Sequence, residues 1–395
     1  MQYALLSAGP CRLLVTRPDT NAYGNATLNM AWSFQLARHL DAPLYVAPVN
    51  PERHTALTSL ECDGVRRIAG TPRRTGAVLA AARILAGARR AHVPRVTAAG
   101  TLETLNGLGT DEERSYFGLD LRQACATQTL PIRLPAAVES DVRRRASLIG
   151  IPAERPIVTL HVRESGYKAS LGYVDREKDV ARNARIETYL PAVDWLVSRG
   201  YTVVRFGDPL MAPVERPGLV DVATSPHRDP ALEIWCVLRS RFFVASDCGP
   251  FNLSVLTGVP CIGVNMTHLI GAYPLRRHDR YILKHVVDSE TGRELTLADM
   301  LTREHVKHRW VPGRYRFIDN TPAEICEAVQ EMEGALIDGE VGDAQRTFRE
   351  AVAAFLDGDY GRAKQTKRGV QAAFYLGDGW VGEAFARRSL GLPSS

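Results

Sequence analysis

Between residues 157 and 264 the sequence alternates short apolar runs with segments of helical periodicity, and few folds accept that pattern. IVTLHV (157–162), YTVVRF (201–206), a shorter run at 219–223, RFFVA (241–245) and CIGVN (260–264) read as strands, while 186–198, 230–239 and 250–257 read as helices. Strands that are apolar, β-branched and aromatic on both faces must be covered on both faces, and helices between them do the covering. The pattern predicts a parallel, doubly wound α/β sheet. Ligands of such sheets bind beyond the carboxyl ends of the strands, so the residues directly after each run are the place to look for chemistry.

The first half begins in the same style. A strand at 12–17, a turn-rich stretch at 18–25, a helix marked by Leu28, Trp32, Leu36 and Leu40, and a second strand at 44–49 form a β-α-β start. An Ala- and Arg-rich region follows, with a helix expected at 76–90 and no further strand placed before 135. A helix over 136–150 ends at Gly150, and Ile151-Pro152-Ala153-Glu154-Arg155-Pro156 reads as a linker, because its two prolines resist both helix and central strand. The expected architecture is α/β: two Rossmann-like doubly wound domains, 1–150 and 151–340, facing across a cleft, with a helical extension, 341–395, packing back on the first. Thr321-Pro322-Ala323-Glu324 supplies an N-cap, Pro at N1 and Glu at N3 for a late helix. Asp357-Gly358-Asp359 matches a D-x-D metal motif but is read as a loop between helices.

Composition narrows the function classes. With 45% hydrophobic and 24% charged residues among 395, the chain is neither disordered, collagen-like nor a disulfide scaffold. Its +5 charge hides an asymmetry of 43 Arg to 6 Lys, most of which reflects compositional bias. A nucleic-acid polymer would call for clustered positive charge with interleaved aromatics, and the longest basic run is the triplet Arg143-Arg144-Arg145. Single arginines at strand ends are more informative, since the planar guanidinium grips phosphate bidentately. Seven cysteines, at 11, 62, 125, 236, 248, 261 and 326, are scattered without a C-x-x-C pair, which indicates neither a disulfide framework nor a zinc site. Met1 to Leu6 lacks a basic n-region and the longest apolar stretch, 77–88, is cut by Arg83, so a cytoplasmic protein without a transmembrane segment is expected.

The residues after the second-half strands are polar. The first strand runs into His161-Val162-Arg163-Glu164-Ser165-Gly166-Tyr167, the next into Arg205-Phe206-Gly207-Asp208, the third into Thr224-Ser225-Pro226-His227-Arg228-Asp229, and the fourth into Ser246-Asp247-Cys248-Gly249-Pro250-Phe251-Asn252. Arg, Ser, Gly and Asp beside a helix start suit a diphosphate, because unpaired backbone N–H groups attract anions and Gly permits close approach. Other readings stand beside this one. Ser246 or Asp247 fits a helix cap, His161 fits a hydrogen-bonded core histidine that orients the loop carrying Arg163, and Arg205 fits either a phosphate ligand or an ion-pair partner.

The stretch HVRESGY, RNARIETYLPAVDWLVSRGYTVVRFGD, DVATSPHRD and RSRFFVASDCGPFNLSVLTGVPCIGVN, from His161 to Asn265, resembles the nucleotide-sugar-binding half of a bacterial glycosyltransferase family with the GT-B fold. Its H-x-R element, His161-Val162-Arg163, is similar to that of fucosyltransferase-like GT-B enzymes, in which the Arg contacts the donor diphosphate. The helix start at Asn320-Thr321-Pro322 resembles the family's closing helix, while residues 1–150 match less well. The resemblance implies that Arg163 contacts the donor diphosphate and that the Ser246 to Asn252 loop cradles the donor; together with the polar strand-end loops, the expected donor site is Arg163, Ser165, Tyr167, Arg182, Arg205, Gly207, Ser225, His227, Ser246, Asp247, Cys248, Gly249, Pro250 and Asn252, with 1–150 as acceptor domain.

The chemistry of such a transfer asks for stabilisation of a departing diphosphate and a base for the acceptor hydroxyl. No metal cluster is evident, so Arg163, with Arg205 or Arg182, is expected to supply the positive potential, and no cofactor beyond the nucleotide-sugar co-substrate is expected. Asp19, after the first strand, is the expected base, with Glu103, Asp111 and Glu112 as rivals. The expected function is metal-independent, inverting transfer of a sugar such as N-acetylglucosamine from a UDP-linked donor to a soluble acceptor, in a chain that could form a homodimer. A nucleotide-sugar epimerase or hydrolase, and a transferase using a GDP-sugar to build a surface polysaccharide, are the alternatives. A nicotinamide dehydrogenase ranks low, because no G-x-G-x-x-G follows a strand.

Overall fold

A computed structural model describes residues 3–8, 11–16, 18, 22–47, 51–68, 95–97, 100–105, 115–116, 119–152, 154–164, 176–267, 276–362 and 377–393. Its fold is α/β, with two main sheets. The first contains β1 (Tyr3–Ala8), β2 (Cys11–Thr16), β3 (Leu44–Val46), β5 (Arg67–Ile68), β6 (Arg95–Thr97) and β7 (Gly100–Leu105), in the order β5-β3-β2-β1-β7-β6. Small ribbons pair β4 (Glu61–Cys62) with β10 (Ile132–Arg133) and β8 (Ser115–Tyr116) with β9 (Leu119–Asp120).

Half of this sheet is the parallel β-α-β unit that the sequence predicts: β2, β3 and β5 run parallel. The other half is antiparallel, with β1 between β2 and β7, and β7 against β6. The sequence does not signal β1, because Tyr3-Ala4-Leu5-Leu6-Ser7-Ala8 has no β-branched residue and no polar alternation. The helix expected at 76–90 lies outside the described residues.

The helix Tyr23–His39 has twelve buried residues, including the polar Thr27, Asn29, Ser33 and Gln35. A helix buried on nearly every side lies between layers, and this one packs both on its own sheet and on the Asn252–Thr257 helix of the second unit. Three of its buried polar side chains are hydrogen-bonded: Thr27 Oγ1 donates to the Tyr23 carbonyl at 2.9 Å, Ser33 Oγ donates to Thr16 Oγ1 at 3.0 Å, and Gln35 Nε2 donates to the Ala124 carbonyl at 3.4 Å.

The second sheet holds β11 (Ile157–His161), β12 (Thr202–Arg205), β13 (Leu219–Asp221), β14 (Ser240–Ala245), β15 (Cys261–Met266), β16 (Arg280–Leu283) and β19 (Trp380–Val381). All seven are parallel, in the order β13-β12-β11-β14-β15-β16-β19. Strands β11, β14 and β15 are buried along most or all of their length, as their continuous apolar runs require. The chain builds outward from β11 to β13, then restarts on the other side with β14, so the topological switch point lies between β11 and β14.

Local signals hold at the helix starts. Asp229 Oδ1 accepts the Ala231 N–H at 2.8 Å ahead of the Pro230–Arg239 helix, and Thr321 and Glu324 form a reciprocal capping box on Pro322–Ala335. The region expected as a helix at 186–198 is a 3-10 turn, Ile186–Tyr189, running into the α-helix Leu190–Ser198. The described tail corrects one expectation: it sits on the second unit, not on the first. Trp380–Val381 extends the second sheet beside β16, and the helices Asp343–Asp357 and Glu383–Ser389 pack against each other, the latter also on Pro322–Ala335. Asp357 ends the first of these helices and Asp359 is exposed, so D-x-D falls at a helix end. Among the described residues no helix is long and apolar enough to cross a membrane.

Between β16 and that helix stands an antiparallel ribbon of β17 (His285–Asp288) and β18 (Tyr315–Ile318). It is pinned by His285, whose Nε2 lies 3.0 Å from Glu324 Oε2 and whose Nδ1 lies 2.6 Å from Glu294 Oε1. The hydrogen bond to Glu324, aided by Glu294 against the cost of burial, raises the imidazole from 6.5 to about 9. A raised folded-state pKa stabilises fully below the unfolded value and is lost as pH climbs through the folded value. Unfolding free energy should therefore fall between pH 6.5 and about 9. His285→Gln should flatten that part of the urea-melt profile, and an unchanged slope in the variant would show that the pin carries none of it.

Candidate functional site

The carboxyl ends of β11 and β14 are stitched to each other at the switch point. Ser246 donates its backbone N–H to the His161 carbonyl at 3.1 Å, and its hydroxyl accepts the backbone N–H of Arg163 at 2.7 Å. Ser246 is fully buried, so its hydroxyl fixes the exit path of the chain that carries Arg163. Arg163 Nε then donates to Asn183 Oδ1 at 3.1 Å, and its Nη2 stands 3.8 Å from Asp179 Oδ1.

A second guanidinium joins it. Arg182 Nε donates to the backbone carbonyl and the Oδ1 of Asp247, both at 3.0 Å. The other carboxylate oxygen of Asp247 accepts from Thr267 Oγ1 at 2.5 Å and Thr267 N at 3.3 Å. Burial, and after it the charge of Arg182, lowers the pKa of Arg163, yet a guanidinium starting so high stays protonated. The side chains of Arg163 and Arg182 are only 13% and 25% exposed. Among the described residues, Nη1 of Arg163 and both terminal nitrogens of Arg182 have no protein acceptor. Two adjacent, largely buried guanidinia with open forks have the donors to grip an anion. Neither Ser246 nor Asp247 caps the following helix, since both side chains are committed to these contacts and Asn252–Thr257 starts without a side-chain cap.

Arg205 is placed otherwise than expected for a donor ligand. It is fully buried, with Nη2 on Glu164 Oε1 at 2.7 Å and Nη1 on both Asp221 Oδ2, at 2.9 Å, and the Ala212 carbonyl, at 2.8 Å. The ion-pair reading is the one its surroundings support: two carboxylates take its charge beneath the loop. Gly207 has φ 152° and packs under the end of the Met211 side chain, and its carbonyl accepts Arg228 Nε at 2.8 Å. Ser225 accepts the His227 N–H at 3.1 Å in a local turn, with His227 exposed.

His161 lies in the core against Phe206, ring centroids 5.5 Å apart, and burial followed by the charges of Arg163 and Arg205 lowers it to about 3. It is neutral at ordinary pH. Burial pushes the Cys248 thiol up to about 12, so it is equally inert. Asp19, Ser165, Tyr167, Asp111 and Glu112 lie outside the described residues. Glu103 is in β7, opposite Leu5 of β1.

The Gly249-Pro250 turn and Asn252 meet the first unit. Asn252 Nδ2 donates to the Gly24 carbonyl at 2.7 Å. A Cβ on Gly24 would lie 2.8 Å from the Gly249 Cα, so the two backbones touch where a side chain cannot fit. Gly24→Ala should therefore push the units apart and cost about 1–3 kcal/mol, measured as a drop in unfolding free energy. A variant as stable as the parent would mean that this contact is dispensable.

Sequence reasoning did not find Asp179 and Asn183, which stand against Arg163, or Thr267, which holds the Asp247 carboxylate. Asn183 directly follows Arg182, but Asp179 lies in the single helical turn Glu177–Val180 and Thr267 lies beyond β15, so neither has a periodic signal. Among the described residues no group of three or more His, Cys, Asp or Glu could hold a metal ion.

No protein-family model and no curated protein matches the sequence. Among solved structures, the crystal structure of the glycosyl transferase family 9 from Veillonella parvula DSM 2008 is similar at a TM-score of 0.38 and 10% identity, covering 63% of this chain and 79% of that one. A likeness of that size transfers nothing to this chain.

Proposed function

We propose that the chain is a glycosyltransferase that takes a sugar from a nucleoside-diphosphate donor and passes it to a hydroxyl acceptor without a metal ion. The observation that carries this reading is the pair Arg163 and Arg182, buried with open donors at the switch point, where doubly wound sheets bind nucleotides. Departure of a diphosphate builds negative charge that a metal ion or fixed cations must meet, and two pre-oriented guanidinia meet it without reorganising. UDP is the proposed nucleotide and N-acetylglucosamine the proposed sugar. The proposed base is a carboxylate of the first unit, Asp19, and inversion is the proposed stereochemical course.

A melting-temperature screen against UDP-, GDP- and dTDP-sugars tests this directly, since a ligand at 100 times its Kd stabilises by about 2.7 kcal/mol. One nucleotide class should stand out, and turnover with that donor should survive a chelator. A protein that none of these donors stabilises would defeat the reading. Nucleotide release that proceeds equally well without any acceptor would instead mark a hydrolase.

A further inference from the structure

Asn265 is the described non-glycine residue that combines a left-handed backbone, φ 56°, with complete burial. It lies inside β15, where the pairing with β16 slips between Gly263 and Met266. The conformation is costly for a residue with a Cβ and persists only when the surroundings impose it. Here they do. The backbone N–H of Asn265 donates to Asn320 Oδ1 at 3.0 Å while the backbone N–H of Asn320 donates to Asn265 Oδ1 at 2.6 Å. Asn265 Nδ2 donates to Tyr189 Oη at 3.0 Å, and Asn320 Nδ2 to the Leu283 carbonyl at 2.7 Å. Both asparagines are fully buried, Asn265 in a sheet whose other central positions are mostly apolar and Asn320 between β18 and the Pro322–Ala335 helix.

A slip in a strand re-aims the residues that follow it. Two residues on is Thr267, whose N–H and hydroxyl both donate to Asp247 Oδ2, while Asp247 Oδ1 accepts from Arg182 Nε. We infer that Asn265 and Asn320 are positioning residues for the anion site: the lock sets the exit of β15, Thr267 orients the Asp247 carboxylate, and the carboxylate orients the Arg182 fork. This rests on the diphosphate reading above and adds to it two residues that touch no ligand.

The test measures binding of inorganic pyrophosphate and of UDP by calorimetry, well below the melting temperature of each variant. Asn265→Gly keeps the left-handed backbone without strain and removes the side-chain half of the lock. It should weaken both probes about tenfold, Arg182→Lys should do the same, and the double variant should lie about tenfold below the parent rather than a hundredfold, because both changes act through one device. Tyr189→Phe, which removes one Asn265 partner, should shift affinity in the same direction by less. A merely structural lock would lower the melting temperature and leave the affinity of folded Asn265→Gly at the parent value, and that result, or strict additivity in the double variant, would overturn the inference while leaving the diphosphate reading intact. Failure of the parent protein to bind either probe would overturn both.

Discussion

Arg163→Ala should weaken nucleoside-diphosphate binding at least a hundredfold. Arg163 has its backbone tied to Ser246 and its Nε tied to Asn183, so the fork enters the site already oriented. A charge-assisted hydrogen bond contributes about 1.5–3 kcal/mol, and loss of two to one diphosphate corresponds to at least that factor. The same change removes a guanidinium that stands 3.8 Å from the almost fully buried Asp179, so a fall in stability should accompany it. Arg163→Lys separates the two effects: the charge stays while the planar fork is lost, and the affinity loss should shrink to about tenfold with most of the stability regained. Calorimetry with UDP and denaturant melts on the three proteins measure both quantities. Parent-like affinity in the alanine variant would remove Arg163 from the site.

Arg205→Met should do the reverse and strike stability first. Its guanidinium is enclosed by Glu164 and Asp221, and Asp221 Oδ2 also accepts Val214 N–H at 3.0 Å and Thr224 Oγ1 at 3.1 Å. Removing the cation leaves two carboxylates close together with their positive partner gone, which costs about 3–5 kcal/mol. Neutralising the carboxylates in the same chain, with Glu164→Gln and Asp221→Asn, should recover a large part of that loss, because the isolated buried charge is the main penalty. Urea melts decide the matter. A single variant within 1 kcal/mol of the parent would mean that water reaches this cluster and screens it.

The contrast between these arginines shows what residue order can and cannot tell. The strands β11, β12, β14 and β15 were legible because burial on both faces forces a continuous apolar run, and the switch point follows from their order. Arg163 and Arg205 both stand at the ends of such runs and look alike in one dimension. They differ in their neighbours across the sheet: Arg205 pairs in register with Asp221 of β13, whereas Arg163 faces Ser246 beyond β14. A carboxylate at the end of the adjacent predicted strand was the available warning. The Asn265–Asn320 pair gave no such warning, since it joins positions 55 residues apart and its left-handed backbone has no glycine to announce it. The Gly249 turn looked like a phosphate cradle because close backbone approach requires glycine, and the approach is real at Gly24, where the partner is a second backbone.

The helix Tyr23–His39 is counted with the first unit by its place in the chain, yet its burial is shared with the second. Cutting the chain at the Pro152–Pro156 linker would therefore hand each fragment a raw apolar face: the first would keep a helix with half its cover gone, and the second would lose the lid over Asn252–Thr257. Neither fragment should refold alone, and the intact protein should melt in a single transition, so dissection by truncation is the wrong tool here and donor and acceptor halves have to be probed by point substitution in the whole chain.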